Sequence, residues 1–213
     1  YIAQTKGSRA FPWRVFIISH DDRTFVESNL ITQLSGKSKI TDTSWIKPGK
    51  VAWDWWNANN VYGMDFRAGI NQETYKYYID FASENDIEFI LLDEGWTKST
   101  TEIYQANTEI DIVELIQYAK SKNVGVILWV LWKPLSEDTD GLLKLYSSWG
   151  ATGIKVDFMQ RNDQYMVHSY EKIAEIASSY KMTVNYHGAF KPSGIERKLS
   201  LIHISEPTRQ EEI

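Results

Sequence analysis

The chain has 213 residues, 43% of them hydrophobic and 24% charged, with a formal net charge of −5. That length holds one large domain, or one domain and part of a second, and the net acidity argues against nucleic acid or an anionic membrane as the partner. No run approaches the roughly 18 apolar residues of a membrane span, and the absence of cysteine excludes a disulfide framework, a thiol nucleophile and a thiolate zinc site. Nine Trp and twelve Tyr raise the aromatic fraction to 14%. Such rings can stack on sugars, although composition by itself points first to a Trp-rich core.

The chain opens on Tyr1 with no initiator Met and no basic-then-apolar leader, so any targeting signal is expected to lie elsewhere. Residues 1–47 read as all-β: Phe11–Ser19 is a β-branched and aromatic run, followed by the turn signal His20-Asp21-Asp22-Arg23. Lys47-Pro48-Gly49-Lys50 is a break, and a domain boundary is expected there.

Beyond it, short apolar strands alternate with helical patterns. Strands are predicted over Val51–Trp56, Glu88–Leu92, Gly125–Trp132, Gly153–Phe158 and Thr183–Tyr186. Helices are predicted over Gln72–Asn85, Ile110–Lys122, Gly141–Trp149 and Asp163–Tyr180, with Asn71 and Asp163 where N-caps belong. In the last helix Met166, Tyr170, Ile173, Ala174 and Ala177 recur at spacings of three and four, as one buried face requires. Strand–helix units of this kind imply parallel strands with crossover helices, in a (β/α)8 barrel or a doubly wound sheet. No glycine-rich phosphate loop follows any strand, which weakens nucleotide readings. Polar and aromatic residues follow instead, an arrangement that favours the barrel, whose chemistry sits at the C-terminal ends of its strands. The tail Leu199–Arg209, LSLIHISEPTR, resembles the conceptual translation of a transposase adapter used in DNA sequencing. Native sequence is therefore expected to end near Lys198, with residues 199–213 a non-native tail.

Lys155 and Asp157 lie two apart in a predicted strand and share one face. Inside a barrel a charged pair is costly unless it has partners or a use, and a cation beside a carboxylate keeps it ionised. Asp157 is therefore the candidate catalytic carboxylate, against a buried structural ion pair as the alternative. Asp93 and Glu94 end the second predicted strand, where at most one can face the pocket. Asp54 and Trp55 end the first, Trp132 the third, and Asn185 and His187 share a face at the end of the fifth. All are candidates for contacts to sugar. Trp129 is assigned to core packing. No HExxH, paired-His or EF-hand pattern forms a self-contained metal site.

The stretches VAWDWWN (51–57), FILLDEGW (89–96), GVILWV (125–130), GIKVDFM (153–159) and NYHGAFKPSGIER (185–197) together resemble glycoside hydrolase family 97, bacterial α-glucoside and α-galactoside hydrolases. The resemblance covers about residues 45–198. It implies that 1–47 end an N-terminal β-sandwich and that 48–198 form the first five strands of a (β/α)8 catalytic barrel. It also implies that Asp157 occupies the nucleophile position of the retaining members. Inverting members carry a base glutamate after the fifth-strand His; Gly188 stands there, as in the retaining pattern. The implied activity is a retaining exo-α-glycosidase on oligosaccharides, α-galactosidase before α-glucosidase, with a non-catalytic carbohydrate-binding protein as the alternative of another class. Further implications are an acid/base Glu beyond the fifth strand, calcium held mostly by glutamates outside this chain, a periplasmic or secreted location, and a 213-residue polypeptide inactive by itself.

Overall fold

The computed structural model describes residues 5–8, 13–190 and 194–199, and the backbone of 202–204. The elements in chain order are α1 (Arg23–Glu27), α2 (Leu30–Leu34), β1 (Val51–Trp53), α3 (Gln72–Glu84), β2 (Phe89–Leu92), α4 (Ile112–Ser121), β3 (Gly125–Leu131), α5 (Trp132–Glu137), α6 (Thr139–Trp149), β4 (Gly153–Asp157), α7 (Gln164–Ser179), β5 (Thr183–Tyr186), α8 (Ile195–Lys198) and β6 (Ile202–Ile204).

All neighbouring strands pair in parallel, and their spatial order is their chain order, β1 to β6. A doubly wound sheet reverses direction at a switch point. Here each crossover carries the chain one strand further in the same sense, which is the winding of a (β/α) barrel. Strand parity then separates two faces. Ile90, Leu92, Leu128, Val130, Ile154, Val156, Val184 and Tyr186 are fully buried in the apolar core. The opposite parity carries Trp129, Lys155, Asp157 and Asn185, a far more polar set than a core layer would need.

The four long helices form where the apolar periodicity places them, and each is closed at its start by a side-chain cap. Asn71 and Asp163 accept from Thr74 N at 2.9 Å and Met166 N at 3.0 Å, as predicted; Asp111 and Asp138 do the same for Glu114 N and Gly141 N. Met166, Tyr170, Ile173, Ala174 and Ala177 are all buried on α7.

Two expectations are corrected. Among the described residues of 13–47 there is no strand: residues 13–19 are without regular structure, and α1 and α2 follow with no buried residue. The β-rich pattern there has no paired neighbour, and an unpaired strand cannot satisfy its backbone; Phe16 stays 85% exposed. The first strand stops at Trp53, because Asp54–Asn57 winds into a 3-10 turn closed by Ala58 in the left-handed region, and the third stops at Leu131, where α5 begins. The five predicted strands all form, and β6 pairs with β5 beyond them, inside the predicted tail. Residues 200, 201 and 205–213 of that tail lie outside the described residues.

Candidate active site

β4 delivers Lys155 and Asp157 to the polar face at its C-terminal end. Register sets Lys155 between Trp129 of β3 and Asn185 of β5, and Asp157 beside Leu131. Asp157 is 5% exposed. Its Oδ2 accepts from Trp129 Nε1 at 3.0 Å; its Oδ1 accepts from Phe158 N at 2.7 Å and lies 2.9 Å from His187 Nδ1. Burial opposes the charge, but the Trp129 indole, the His187 ring and the Phe158 amide outweigh it and hold the carboxyl below its ordinary value. The group is an ionised carboxylate at neutral pH.

The backbone is bent to make this possible. Phe158 has φ +59°, a left-handed conformation that costs an aromatic residue about 1–3 kcal/mol and turns its N–H back onto the carboxylate. Gly188 (φ +56°) packs against the same spot: a Cβ there would stand 3.0 Å from Phe158 N and 3.1 Å from Asp157 Oδ1. A side chain at 188 would therefore press on the carboxylate.

Lys155 belongs first to a different acid than its sequence neighbour. Its Nζ is 2.6 Å from Asp93 Oδ2 and 3.7 Å from Asp157 Oδ2, and it lies 4.3 Å from the centre of the Trp53 ring. Trp53 Nε1 donates to the same Asp93 Oδ2 at 2.6 Å, and Glu94 N to Asp93 Oδ1 at 2.8 Å. Of the adjacent acids, Asp93 therefore faces the site and Glu94 is exposed.

Asp54 lies one layer deeper. It is 1% exposed, accepts from Tyr75 Oη at 2.9 Å, and receives the Asp93 backbone N–H at 3.1 and 3.2 Å. Its oxygens thus hold Asp93 in place. Burial pushes its carboxyl up to about 7 against these hydrogen bonds. Between about pH 4 and 7 the folded protein holds a proton that the unfolded chain has released, so this group lowers stability as pH rises through that window. Asp54→Asn, which can keep both contacts, is expected to be the more stable protein at pH 8 and near equal at pH 4, with an upper bound of about 4 kcal/mol at about 1.4 per pKa unit. Unfolding midpoints across that range check it; parallel curves would contradict it.

Of the remaining candidates, Asn185 stands beside Lys155 in the β4–β5 register, and His187 reaches the cluster and packs edge-on against Trp53 at 6.5 Å. Trp55 sits half-exposed on the 3-10 turn, stacked on Trp53 at 6.5 Å. Trp132 opens α5 and packs on Tyr165. Trp129 and Trp53 were not among the sequence candidates, although a buried indole N–H needs an acceptor, and that was the available signal. Among the described residues no group of three or more acidic or histidine side chains could hold a cation, and the oxygens of Asp54, Asp93 and Asp157 are engaged as above. These residues do not fit a calcium site.

Comparison with known proteins places the chain in a family. The chain is 46% identical over 198 residues to a Bacteroides thetaiotaomicron protein described as a retaining alpha-galactosidase, covering 92% of this chain and 30% of that protein. It is 29% identical over 214 residues to a probable retaining alpha-galactosidase of Streptomyces bingchenggensis, covering 97% and 32%. The chain thus spans about a third of the length of these curated relatives. A glycoside hydrolase family 97 enzyme from Pseudoalteromonas sp. strain K8, solved in complex with acarbose, shares the fold at TM-score 0.71 and 23% identity, over 82% of this chain and 32% of that one. A beta-arabinopyranosidase superposes at TM-score 0.67 with 25% identity, over 83% and 28%. The family model for glycoside hydrolase 97 matches residues 55–201, the stretch that carries every strand-end residue described above except Trp53 and Asp54, and the chain belongs to that family.

Proposed function

We propose that this chain is part of a retaining, exo-acting α-glycoside hydrolase, an α-galactosidase acting on oligosaccharides, with Asp157 as its nucleophile. The observation that carries the reading is the state of Asp157: ionised, held by donors on both oxygens, at the C-terminal end of a barrel strand, with a glycine against it. A nucleophile of this class must be ionised and immobile before it attacks. The galactoside assignment is supported by the 46% identity to the retaining alpha-galactosidase.

In the reaction, a lone pair of Asp157 forms a bond to the anomeric carbon as the bond from that carbon to the leaving oxygen breaks. The leaving oxygen takes its proton from a second carboxyl group, kept protonated by its surroundings. That group, now ionised, then takes a proton from water; the water oxygen attacks the anomeric carbon and Asp157 leaves. We assign the second carboxyl to a glutamate outside the 213 residues, because the chain spans only about a third of its relatives. Lys155, Asp93, Asn185, Trp55 and Trp132 are proposed to contact the sugar, with Glu94 at the rim and Asp54 acting through Asp93. Calcium would take its ligands from outside the described residues. An N-terminal domain that ends within residues 1–47 and a periplasmic or secreted location rest on the family resemblance, and 199–213 as a non-native tail rests on its likeness to a sequencing adapter; no helix among the described residues is long and apolar enough to cross a membrane.

Proton NMR during hydrolysis of an aryl α-galactoside by the full-length enzyme tests this. Retention requires α-galactose to appear first and mutarotate to β; β-galactose first would remove Asp157 from the nucleophile role. Preferential turnover of the α-glucoside would favour the glucosidase alternative, and binding of galactosides without turnover of either would favour the carbohydrate-binding one.

A further inference from the structure

A carboxylate has two oxygens with two in-plane lone pairs each, and at Asp157 they are used unequally. Oδ1 has both directions filled, by Phe158 N at 2.7 Å and His187 Nδ1 at 2.9 Å. Oδ2 has one close donor, Trp129 Nε1 at 3.0 Å, with Lys155 Nζ further off at 3.7 Å. We propose that His187 is a positioning residue, one that with the Phe158 amide pins Oδ1 and leaves Oδ2 as the atom that attacks the anomeric carbon. This rests on the reading of Asp157 as nucleophile.

The role requires the His187 ring to present Nδ1–H to an ionised acceptor, and the surroundings hold it in that orientation. His187 N donates to Val156 O at 2.9 Å, fixing the backbone one residue beyond β5. Its ring stands edge-on to Trp53. Gly188 leaves no side chain between the ring and the carboxylate, and Gln160 N donates to Gly188 O at 2.8 Å, tying the β5 end to the loop that carries Phe158. The titratable and charged groups facing Asp157 are the His187 ring from the β5 end and Lys155 from β4, with Asp93 behind Lys155 from the β2 end. Pinning one oxygen removes rotation of the carboxylate, so the attacking lone pair is aimed before substrate arrives.

The test uses two conservative variants of the full-length enzyme. The amide of Asn can occupy the position of His Nδ1; that of Gln falls nearer Nε2. His187→Gln is expected to lower kcat on an aryl α-galactoside about 10- to 100-fold, the range for one lost charge-assisted hydrogen bond, with KM nearly unchanged. The acidic limb of its kcat/KM profile should move to higher pH, because a donor to the ionised carboxylate is gone. His187→Asn should recover most of kcat and return the limb. A rise in KM with kcat unchanged would make His187 a substrate contact and overturn the proposal. Equal loss in both variants, with the limb unmoved, would also overturn it by making the ring only structural. Failure of Asp157 itself as nucleophile is read separately, from the anomer released first by the unsubstituted enzyme.

Discussion

In the full-length enzyme, Asp157→Gly is expected to lower kcat on 4-nitrophenyl α-galactoside by at least about 10,000-fold, a barrier increase above about 5 kcal/mol. The size follows from the chemistry: without the carboxylate no covalent intermediate forms, and water on that face has no base to activate it. The cavity left by the side chain keeps its donors, since Trp129 Nε1, Phe158 N and the His187 ring are each anchored by their own element. A small anion should enter it. Azide is therefore expected to restore turnover and to give the β-galactosyl azide, because it attacks from the face that Asp157 occupied. Product analysis checks both parts; unchanged hydrolysis in the variant, or an azide of α configuration, would take the nucleophile role from Asp157.

The second large effect is on stability. Lys155 is buried, with Asp93 at 2.6 Å and Asp157 at 3.7 Å. Lys155→Met keeps the aliphatic stem and removes the charge, leaving two buried carboxylates facing each other without a cation between them. Breaking a buried pair by deleting one member costs about 3–5 kcal/mol, because the remaining charge keeps its desolvation penalty. The variant should therefore lose about that much in denaturant unfolding at pH 7. Its residual activity should fall as well, since the cation nearest the attacking oxygen is gone. A loss below about 1 kcal/mol would mean that water reaches the cluster and screens it, as it does for exposed pairs.

The contrast between Lys155 and Trp129 shows how far the site could be read from the chain. That Lys155 and Asp157 face the same side follows from strand parity alone, a local property of two residues. That the nearer partner of Lys155 is Asp93, 62 residues earlier, depends on how β2, β3 and β4 are set against one another, which no local pattern records. Trp129 illustrates the same limit: it is fully buried, as its apolar run implies, and its one polar atom finds Asp157 only through the β3–β4 register. His187 was legible as a strand-end polar residue, but its bond to Asp157 requires the β4–β5 pairing.

The same division runs through the whole molecule. Hydrophobic periodicity and capping residues by themselves determined the four long helices and the cores of five strands, because both are satisfied within a dozen residues of chain. The family motifs marked the strand end on which Asp157 stands. Tertiary structure decided the rest. It set the one-directional strand order, ended β1 and β3 early, left residues 13–19 unpaired and added β6. It also placed Asp54 beneath Asp93 as a support. Each of these turns on which backbone edge or buried polar atom meets which other, and such meetings are fixed only when distant segments pack and every buried donor must find an acceptor.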